Sequence, residues 1–199
     1  MTYLYPKTKI IIFTKPPIAG KCKSRLIPHL GAIGAAKLQE KLIFKIIDQL
    51  KDYKLCPFEV CLSEANQDFI EILNEYSVDV SFQKGKDLGA RMSHAILSNI
   101  EDNNSVIIIG SDCAEFSKDY FIDAITELES NKVVLGPAFD GGYVLIGMSE
   151  FVGSVFKNVN WGTNEVLQSS CQILESEDQS FALLSKRHDI DTPDDLKYL

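Results

Sequence analysis

Runs of β-branched residues alternate along this chain with stretches whose apolar positions recur every three to four residues. Residues 9–14 (KIIIFT) form a continuous apolar run, as expected of a strand covered on both faces. From Ala35 onward, Leu38, Leu42 and Ile46 and then Ile43, Ile47 and Leu50 recur at helical spacing, which predicts a long amphipathic helix ending near Tyr53. Strand patterns follow at 58–62, 78–82, 105–109, 132–135, 143–148 and 181–185. Helical patterns fall at 66–76, 88–100, 117–129 and 163–174, with a short helix starting at Thr192-Pro193. Asn66 and Ser117 sit where N-caps are expected. Strands separated by helices imply βαβ crossovers, so the expected fold is a three-layer α/β/α arrangement. It has a mainly parallel twisted sheet and helices on both faces.

No repeat, low-complexity stretch or linker divides the sequence. A mass of 22.2 kDa allows roughly 70% of the unfolded surface to be buried, enough for one core. Residues 1–199 are therefore read as a single domain. The chain is 45% hydrophobic and 24% charged, which excludes disordered and collagen-like classes. No apolar run approaches the ~20 residues of a membrane helix, and no export signal is visible. Five cysteines without C-x-x-C spacing predict reduced thiols, with Cys56, Cys61 and Cys171 as small buried hydrophobes. These features predict a soluble, cytoplasmic protein.

Charge changes the picture. The net charge of −8 argues against nucleic acid as a partner. Yet the first acidic residue is Glu40, and the 39 residues before it carry +7, against −15 for the rest. That split predicts a local anion site on an acidic body.

In open α/β sheets, ligands bind outside the carboxyl ends of the strands, which selects four loops. The first, 14–26, has two prolines, Gly20 for a turn, and Lys15, Lys21, Lys23 and Arg25. Backbone N–H groups with lysine and arginine suit a diphosphate or triphosphate. Neither a P-loop nor G-x-G-x-x-G is present: Lys15 stands at the first P-loop glycine and Cys22 at the Mg²⁺-binding hydroxyl. The second loop, 110–116, places Asp112 after the most apolar strand. A carboxylate there suits Mg²⁺ or Mn²⁺, with a turn aspartate as the alternative. The third, GPAFDGGY at 136–143, reads as an Asp-Gly hairpin turn or as a close backbone approach to a ligand, with Asp140 facing a sugar or a metal water. The fourth, HDIDTPDDL at 188–196, gives Thr192, Asp194 and Asp195 to a helix start and leaves Asp191 as the functional candidate.

The series FTKPPIAGKCKSRL, DLGARM, GSDCAEF, GPAFDGGYVLIG, WGTNEVL and DIDTPDDL, in order from Ile10 to Leu196, resembles a bacterial family of small glycosyltransferase-A-fold proteins. These are nucleotide-diphospho-sugar-transferase-like proteins of the arsenosugar-biosynthesis glycosyltransferase type. They are similar in fold to the molybdenum-cofactor and phospholactate guanylyltransferases. The resemblance implies that Lys23 and Arg25 meet nucleotide phosphates, with Lys15, Gly20, Lys21 and Arg91 around them. It makes Asp112 and Asp191 the ligands of Mg²⁺ or Mn²⁺, with Asp189 the lesser choice, and Lys23, Arg25 and Asp112 the catalytic groups. Asp140, Gly141, Gly142, Trp161 and Thr163 would line the sugar or acceptor side, with Gly162 in the same loop. The sequence departs from the family pattern at Ala114 (usually proline), Ala90 (usually glutamate), Lys15 (often arginine) and Ser24 (usually threonine).

The implied activity is metal-dependent glycosyl transfer from a nucleoside diphosphate sugar to a small acceptor. Two alternatives stand beside it: nucleotidyl transfer from a nucleoside triphosphate to a phosphorylated small molecule, and a non-catalytic nucleotide-binding module. No histidine stands out as a general base. His29 and His188 lie near the loops, and His94 is expected on a helix surface.

Overall fold

The first strand, β1 (Thr8–Thr14), is buried along almost its whole length, with Ile10, Ile11 and Ile12 fully inaccessible. In the computed structural model, which describes residues 2–113 and 115–199, β1 lies third of seven strands in one sheet. Ala114, where the family pattern has proline, lies outside the described residues. The other strands are β2 (Phe58–Leu62), β3 (Asp79–Phe82), β4 (Ser105–Gly110), β5 (Val133–Pro137), β6 (Tyr143–Met148) and β7 (Phe181–Leu183). Their spatial order is β3-β2-β1-β4-β6-β5-β7. β1 to β4 pair in parallel, β5 pairs in parallel with β7, and β6 runs antiparallel to both β4 and β5. The sheet is thus mixed, mainly parallel, with a single reversed strand.

The reversal comes from residues 136–143. Register shifts at Gly136/Pro137, the Gly142 N–H donates to Asp140 Oδ1 at 2.9 Å, and Gly141 takes φ 93°. A chain turned this tightly can only come back as a hairpin. The Asp-Gly hairpin reading holds for this segment.

Among the described residues, five α-helices cover the faces: α1 (Ile27–Tyr53), α2 (Gln67–Glu75), α3 (Leu88–Ile100), α4 (Lys118–Glu127) and α5 (Val166–Ser176). Strand side chains alternate between faces, so β1 sends Ile10 and Ile12 to a core shared with α1, α2 and α4. Ile11 and Phe13 pack instead with Met92 and Ile96 of α3 and Leu174 of α5. Asn66 accepts from Phe69 N–H at 2.9 Å and Ser117 from Tyr120 N–H at 3.2 Å, as N-caps do.

Two boundaries differ from the sequence expectation by three residues or more. The first helix begins at Ile27, eight residues before the periodic stretch at Ala35. Pro28 supports a helix start there, and Gly31 (φ 72°, ψ 163°) separates this opening turn from the longer amphipathic stretch. The fifth begins at Val166 instead of 163, after Thr163 is drawn into a turn in which its hydroxyl donates to the Asn160 carbonyl at 2.9 Å. The C-terminal helix, Pro193–Tyr198, is 3₁₀. No helix among the described residues is long and apolar enough to cross a membrane.

Candidate active site

All four selected loops reach the edge of the sheet where β1 and β4 end, and between them lies a cavity of about 580 Å³. That size lies within the roughly 300–1,000 Å³ common for small-ligand sites. Its walls carry four cations (Lys15, Lys23, Arg25, Arg91) and three carboxylates (Asp112, Asp140, Asp191). In a chain of net charge −8, this cavity has a cationic excess.

The loop after β1 is shaped by its backbone. Gly20 takes φ 85° and Lys23 takes φ 44°, left-handed for a non-glycine residue, just before the 3₁₀ turn Ser24–Leu26. That conformation turns the Lys23 side chain inward, where it is 2% exposed. Leu26 anchors the far end of the loop against Leu38, Leu42 and Ile190. Lys23 Nζ donates to Asp112 Oδ1 at 2.6 Å and to the Ile190 carbonyl at 2.7 Å. The neighbouring Arg25 Nη1 donates to Asp191 Oδ2.

Asp112 leaves the end of β4, and its carbonyl accepts the Ile190 N–H at 2.8 Å, which binds the C-terminal segment to the strand end. A bridge between Cys113 and Asp189 continues that contact. Further along, the Asp195 carboxylate accepts the N–H groups of Thr192 at 2.7 Å and Asp191 at 3.1 Å. Partial burial of Asp195 opposes its ionisation, but the hydrogen bonds from Thr192 and Asp191 outweigh it and hold the carboxyl below the ordinary range. Asp195 thus builds the turn that presents Asp191.

Asp189 behaves differently. Burial first, then Asp140, with Asp191 and Asp195 behind, push its carboxyl from 3.8 to about 6 against the pull of its own backbone N–H. A folded-state value raised above the unfolded one favours the protonated group. The stability it contributes is present below about pH 4 and is lost as pH rises through about 6. An Asp189→Asn protein is therefore expected to show a flatter melting temperature between about pH 4 and 6, and to melt above the parent at pH 7. Melting curves of both proteins across that interval check this.

Beneath the cavity floor lies a polar cluster that motif reading does not find. Gln39 of α1, 3% exposed, donates through Nε2 to Thr14 Oγ1 at 2.9 Å and to Ser111 Oγ at 3.0 Å. The two hydroxyls are 2.7 Å apart. Thr14 precedes Lys15 and Ser111 precedes Asp112, so Gln39 ties together the strand ends that launch both loops. The available signal was a glutamine inside the apolar stripe of α1, between Leu38 and Leu42. Replacing Gln39 with leucine removes these contacts and a longer one to the Lys15 carbonyl at 3.5 Å, and is expected to cost about 1–2 kcal/mol. That is a fall of roughly 3–6 °C in melting temperature.

On the opposite wall, Trp161 lies against Gly89, where an added Cβ would come within 2.6 Å of Cζ2, and meets Tyr143 edge-on at 6.3 Å. Trp161, Gly162 and Thr163 all line the cavity, with Asp140 and Gly142. Gly141 lies behind this wall against Asn164.

Four of the sequence candidates fall outside the lining: Gly20, Lys21, Gly141 and Asp189. Lys21 turns to solvent and pairs with Glu64 at 3.0 Å, because the turn at Gly20 and the buried Cys22 point it away from Lys23. Gly20 and Gly141 shape the backbone of their turns. His94 and His29 are exposed, and His188 is stacked between Phe139 at 4.0 Å and Tyr198 at 3.7 Å.

The donor set admits a divalent ion only with help from a ligand. Asp112 and Asp191 share the cavity, yet no group of three or more metal-ligating side chains exists among the described residues. Mg²⁺ is commonly held by one or two carboxylates, with substrate phosphates and waters completing the sphere. Two carboxylates facing a phosphate-sized cationic loop fit that arrangement.

Comparison with known proteins agrees with this fold. The sequence profile of DUF2064, described as an uncharacterized protein conserved in bacteria, matches residues 46–163. A candidate nucleotide-diphospho-sugar transferase from Desulfovibrio desulfuricans G20 superimposes with a TM-score of 0.89 at 29% identity, over 96% of this chain and 85% of that one. The inositol-1-phosphate CTP transferase from T. maritima shares the fold at a TM-score of 0.61 and 16% identity, over 98% and 94% of the two chains. Rv0371c from Mycobacterium tuberculosis H37Rv, solved in complex with manganese, does so at 0.59 and 14%, over 96% and 95%. No curated protein sequence matches the chain.

Proposed function

The chain belongs to the bacterial family DUF2064, and from that membership and its site we propose that it is a transferase acting on a nucleotide-activated substrate. Specifically, it moves a glycosyl group from a nucleoside diphosphate sugar to a small acceptor. One observation carries the reading: Lys23 and Arg25 from one end of the chain meet Asp112 and Asp191 from its middle and far end in one cavity. The whole chain acts as one catalytic domain. The likeness to the Desulfovibrio protein supports the choice of nucleotide sugar as donor.

Lys23 has three N–H donors, and Asp112 and Ile190 engage two of them. The third is available to a phosphate oxygen. Arg25 keeps most of its five donors beyond the one given to Asp191. Both cations are positioned before substrate arrives, so they stabilise charge developing on the departing nucleotide at little reorganisation cost. Mg²⁺ or Mn²⁺, held by Asp112 and Asp191, supplies further charge neutralisation at the diphosphate when bound. Asp140, Gly142, Trp161 and Thr163 line the side where sugar and acceptor sit, with Gly141 setting the turn behind them.

A second reading, nucleotidyl transfer from a nucleoside triphosphate, uses the same cations and carboxylates. It is supported by the fold shared with the CTP transferase. The products separate the two, since free nucleoside diphosphate marks glycosyl transfer and pyrophosphate marks nucleotidyl transfer. The direct test is a thermal-shift panel of nucleotides and nucleotide sugars with Mg²⁺ or Mn²⁺. A ligand at about 100 times its Kd adds about 2.7 kcal/mol of stability, a rise of roughly 5–10 °C. The reading fails if no nucleotide raises the melting temperature, or if an Arg25→Met protein responds as the parent does.

A further inference from the structure

Asp191 stands on the last segment of the chain, and little secondary structure holds it there. The 3₁₀ helix that follows it, Pro193–Tyr198, is six residues long and has no buried residue. Hydrogen bonds in a 3₁₀ helix are poorly aligned, so this one needs side-chain anchors. Leu196 supplies the first by packing against Leu26, Leu38, Leu42 and Ile190. Tyr198 supplies the second.

Tyr198 closes a column of rings. His188 lies between Tyr198 at 3.7 Å and Phe139 at 4.0 Å, with interplanar angles of 14° and 12°. A lysine ammonium lies over each end ring, Lys197 at 4.9 Å from the Tyr198 centroid and Lys186 at 5.9 Å from that of Phe139. Phe139 and His188 are already joined through the backbone. The Phe139 N–H donates to the Arg187 carbonyl at 3.2 Å, and the Arg187 N–H donates to the Pro137 carbonyl at 2.9 Å. They form a fixed base beside the β5–β6 hairpin, and the Tyr198 ring docks the end of the helix onto it.

The effect reaches Asp191 through one carboxylate. Asp195, within the same helix, accepts the Asp191 N–H at 3.1 Å, the Thr192 N–H at 2.7 Å and the Thr192 hydroxyl at 2.7 Å. With the helix docked, all three bonds form and Asp191 has a fixed direction in the cavity wall. With the helix swung out, they are lost together.

We infer that Tyr198 is a positioning residue of this site, its ring closing on His188 to hold the C-terminal turn so that Asp191 can share a divalent ion with Asp112. The inference rests on the nucleotide reading above. Lys23 is held separately, by Asp112 and by the carbonyl of the buried Ile190, so it still meets phosphate when Tyr198 lets go. Loss of the ring therefore weakens the contribution of the metal and spares the binding of nucleotide alone.

The test measures affinities of CDP, UDP, GDP and ADP, each with and without Mn²⁺, for the parent, Tyr198→Ala and Tyr198→Phe, with melting temperatures alongside. The readout is the factor by which Mn²⁺ tightens binding of the nucleotide the parent prefers. Loss of one aromatic contact shifts an equilibrium about three- to tenfold, and Tyr198→Ala is expected to lower the factor by that much. Its affinity without metal is expected to stay within about twofold of the parent's. Tyr198→Phe keeps the ring and is expected to match the parent. An unchanged factor in Tyr198→Ala would overturn the inference, whatever its melting temperature. So would a Tyr198→Phe protein that behaves like Tyr198→Ala, or an equal loss of affinity with and without Mn²⁺, which would make Tyr198 a brace of the whole cavity. A parent that binds nucleotide with no gain from Mn²⁺ would overturn the inference and leave the nucleotide reading standing. A parent that binds none of the four would strike both.

Discussion

An Asp112→Ala protein is expected to turn over donor about 10²–10³ times more slowly than the parent, and also to melt at a lower temperature. Lys23→Met is expected to match it in lost turnover while losing less stability. The asymmetry comes from burial. The Lys23 side chain is 2% exposed and that of Asp112 is 49% exposed. Removing the aspartate leaves a buried ammonium with only the Ile190 carbonyl for company. That costs about 1–3 kcal/mol. Removing the lysine leaves a carboxylate that water can reach, and methionine refills the apolar part of the space, so the remaining cost is that of the buried Ile190 carbonyl left without its donor, about 1 kcal/mol. Paired melting curves and release of nucleoside diphosphate measure both halves. Normal turnover in Asp112→Ala would refute the assigned role, and equal destabilisation by both changes would refute the burial argument.

The second large effect is structural. Gly141 takes φ 93°, and a Cβ built there would lie 2.1 Å from the Asn164 carbonyl oxygen. Gly141 also accepts the Leu167 N–H at 3.0 Å, which fixes the start of α5 to the β5–β6 hairpin. Alanine at this position therefore carries a left-handed backbone penalty of about 1–2 kcal/mol and an overlap with backbone that costs about 1–3 kcal/mol. The expected total is about 2–5 kcal/mol, a loss of roughly 5–15 °C in melting temperature for a chain of this size. Relief of the overlap must push the 161–165 segment away from the hairpin. Trp161 is the chain's one tryptophan, so its emission should shift to the red. A Gly141→Ala protein that melts and fluoresces like the parent would contradict the contact.

The sheet was legible because its strands are extreme. SVIIIG in β4 and KIIIFT in β1 cannot be anything but strands covered on both faces, and the Asp-Gly hairpin between β5 and β6 is encoded by three glycines and a proline. Loop positions were legible for the same reason, since each candidate comes directly after a strand that could be placed. Side-chain direction within those loops was not. Lys21 and Lys23 are equivalent in sequence terms, yet one reaches Glu64 and the other the cavity. The difference is a left-handed residue at Lys23, which depends on Leu26 finding its place among Leu38, Leu42 and Ile190. Gln39 escaped for a related reason. An amide carries no formal charge and belongs to no short motif, so its value appears only when the carbonyls and hydroxyls around it are known. The break at Gly31 was hidden because a glycine within a helical pattern reads as a tolerated weakness.

The bonds that assemble the cavity join residues remote along the chain: Lys23 to Ile190 spans 167 positions, Arg25 to Asp191 spans 166, and Lys23 to Asp112 spans 89. The two bonds to the C-terminal segment span more of the chain than the β1–β4 pairing, where Thr8 and Ser105 are 97 positions apart, and so demand the greater loop closure; they are expected to form after the β1–β4 framework has condensed and to be absent from the folding transition state. Weakening them should leave the refolding rate nearly unchanged and accelerate unfolding instead. The order of assembly thus runs opposite to the order of importance for chemistry: the parallel half of the sheet organises early, and catalytic competence arrives with the last segment to dock.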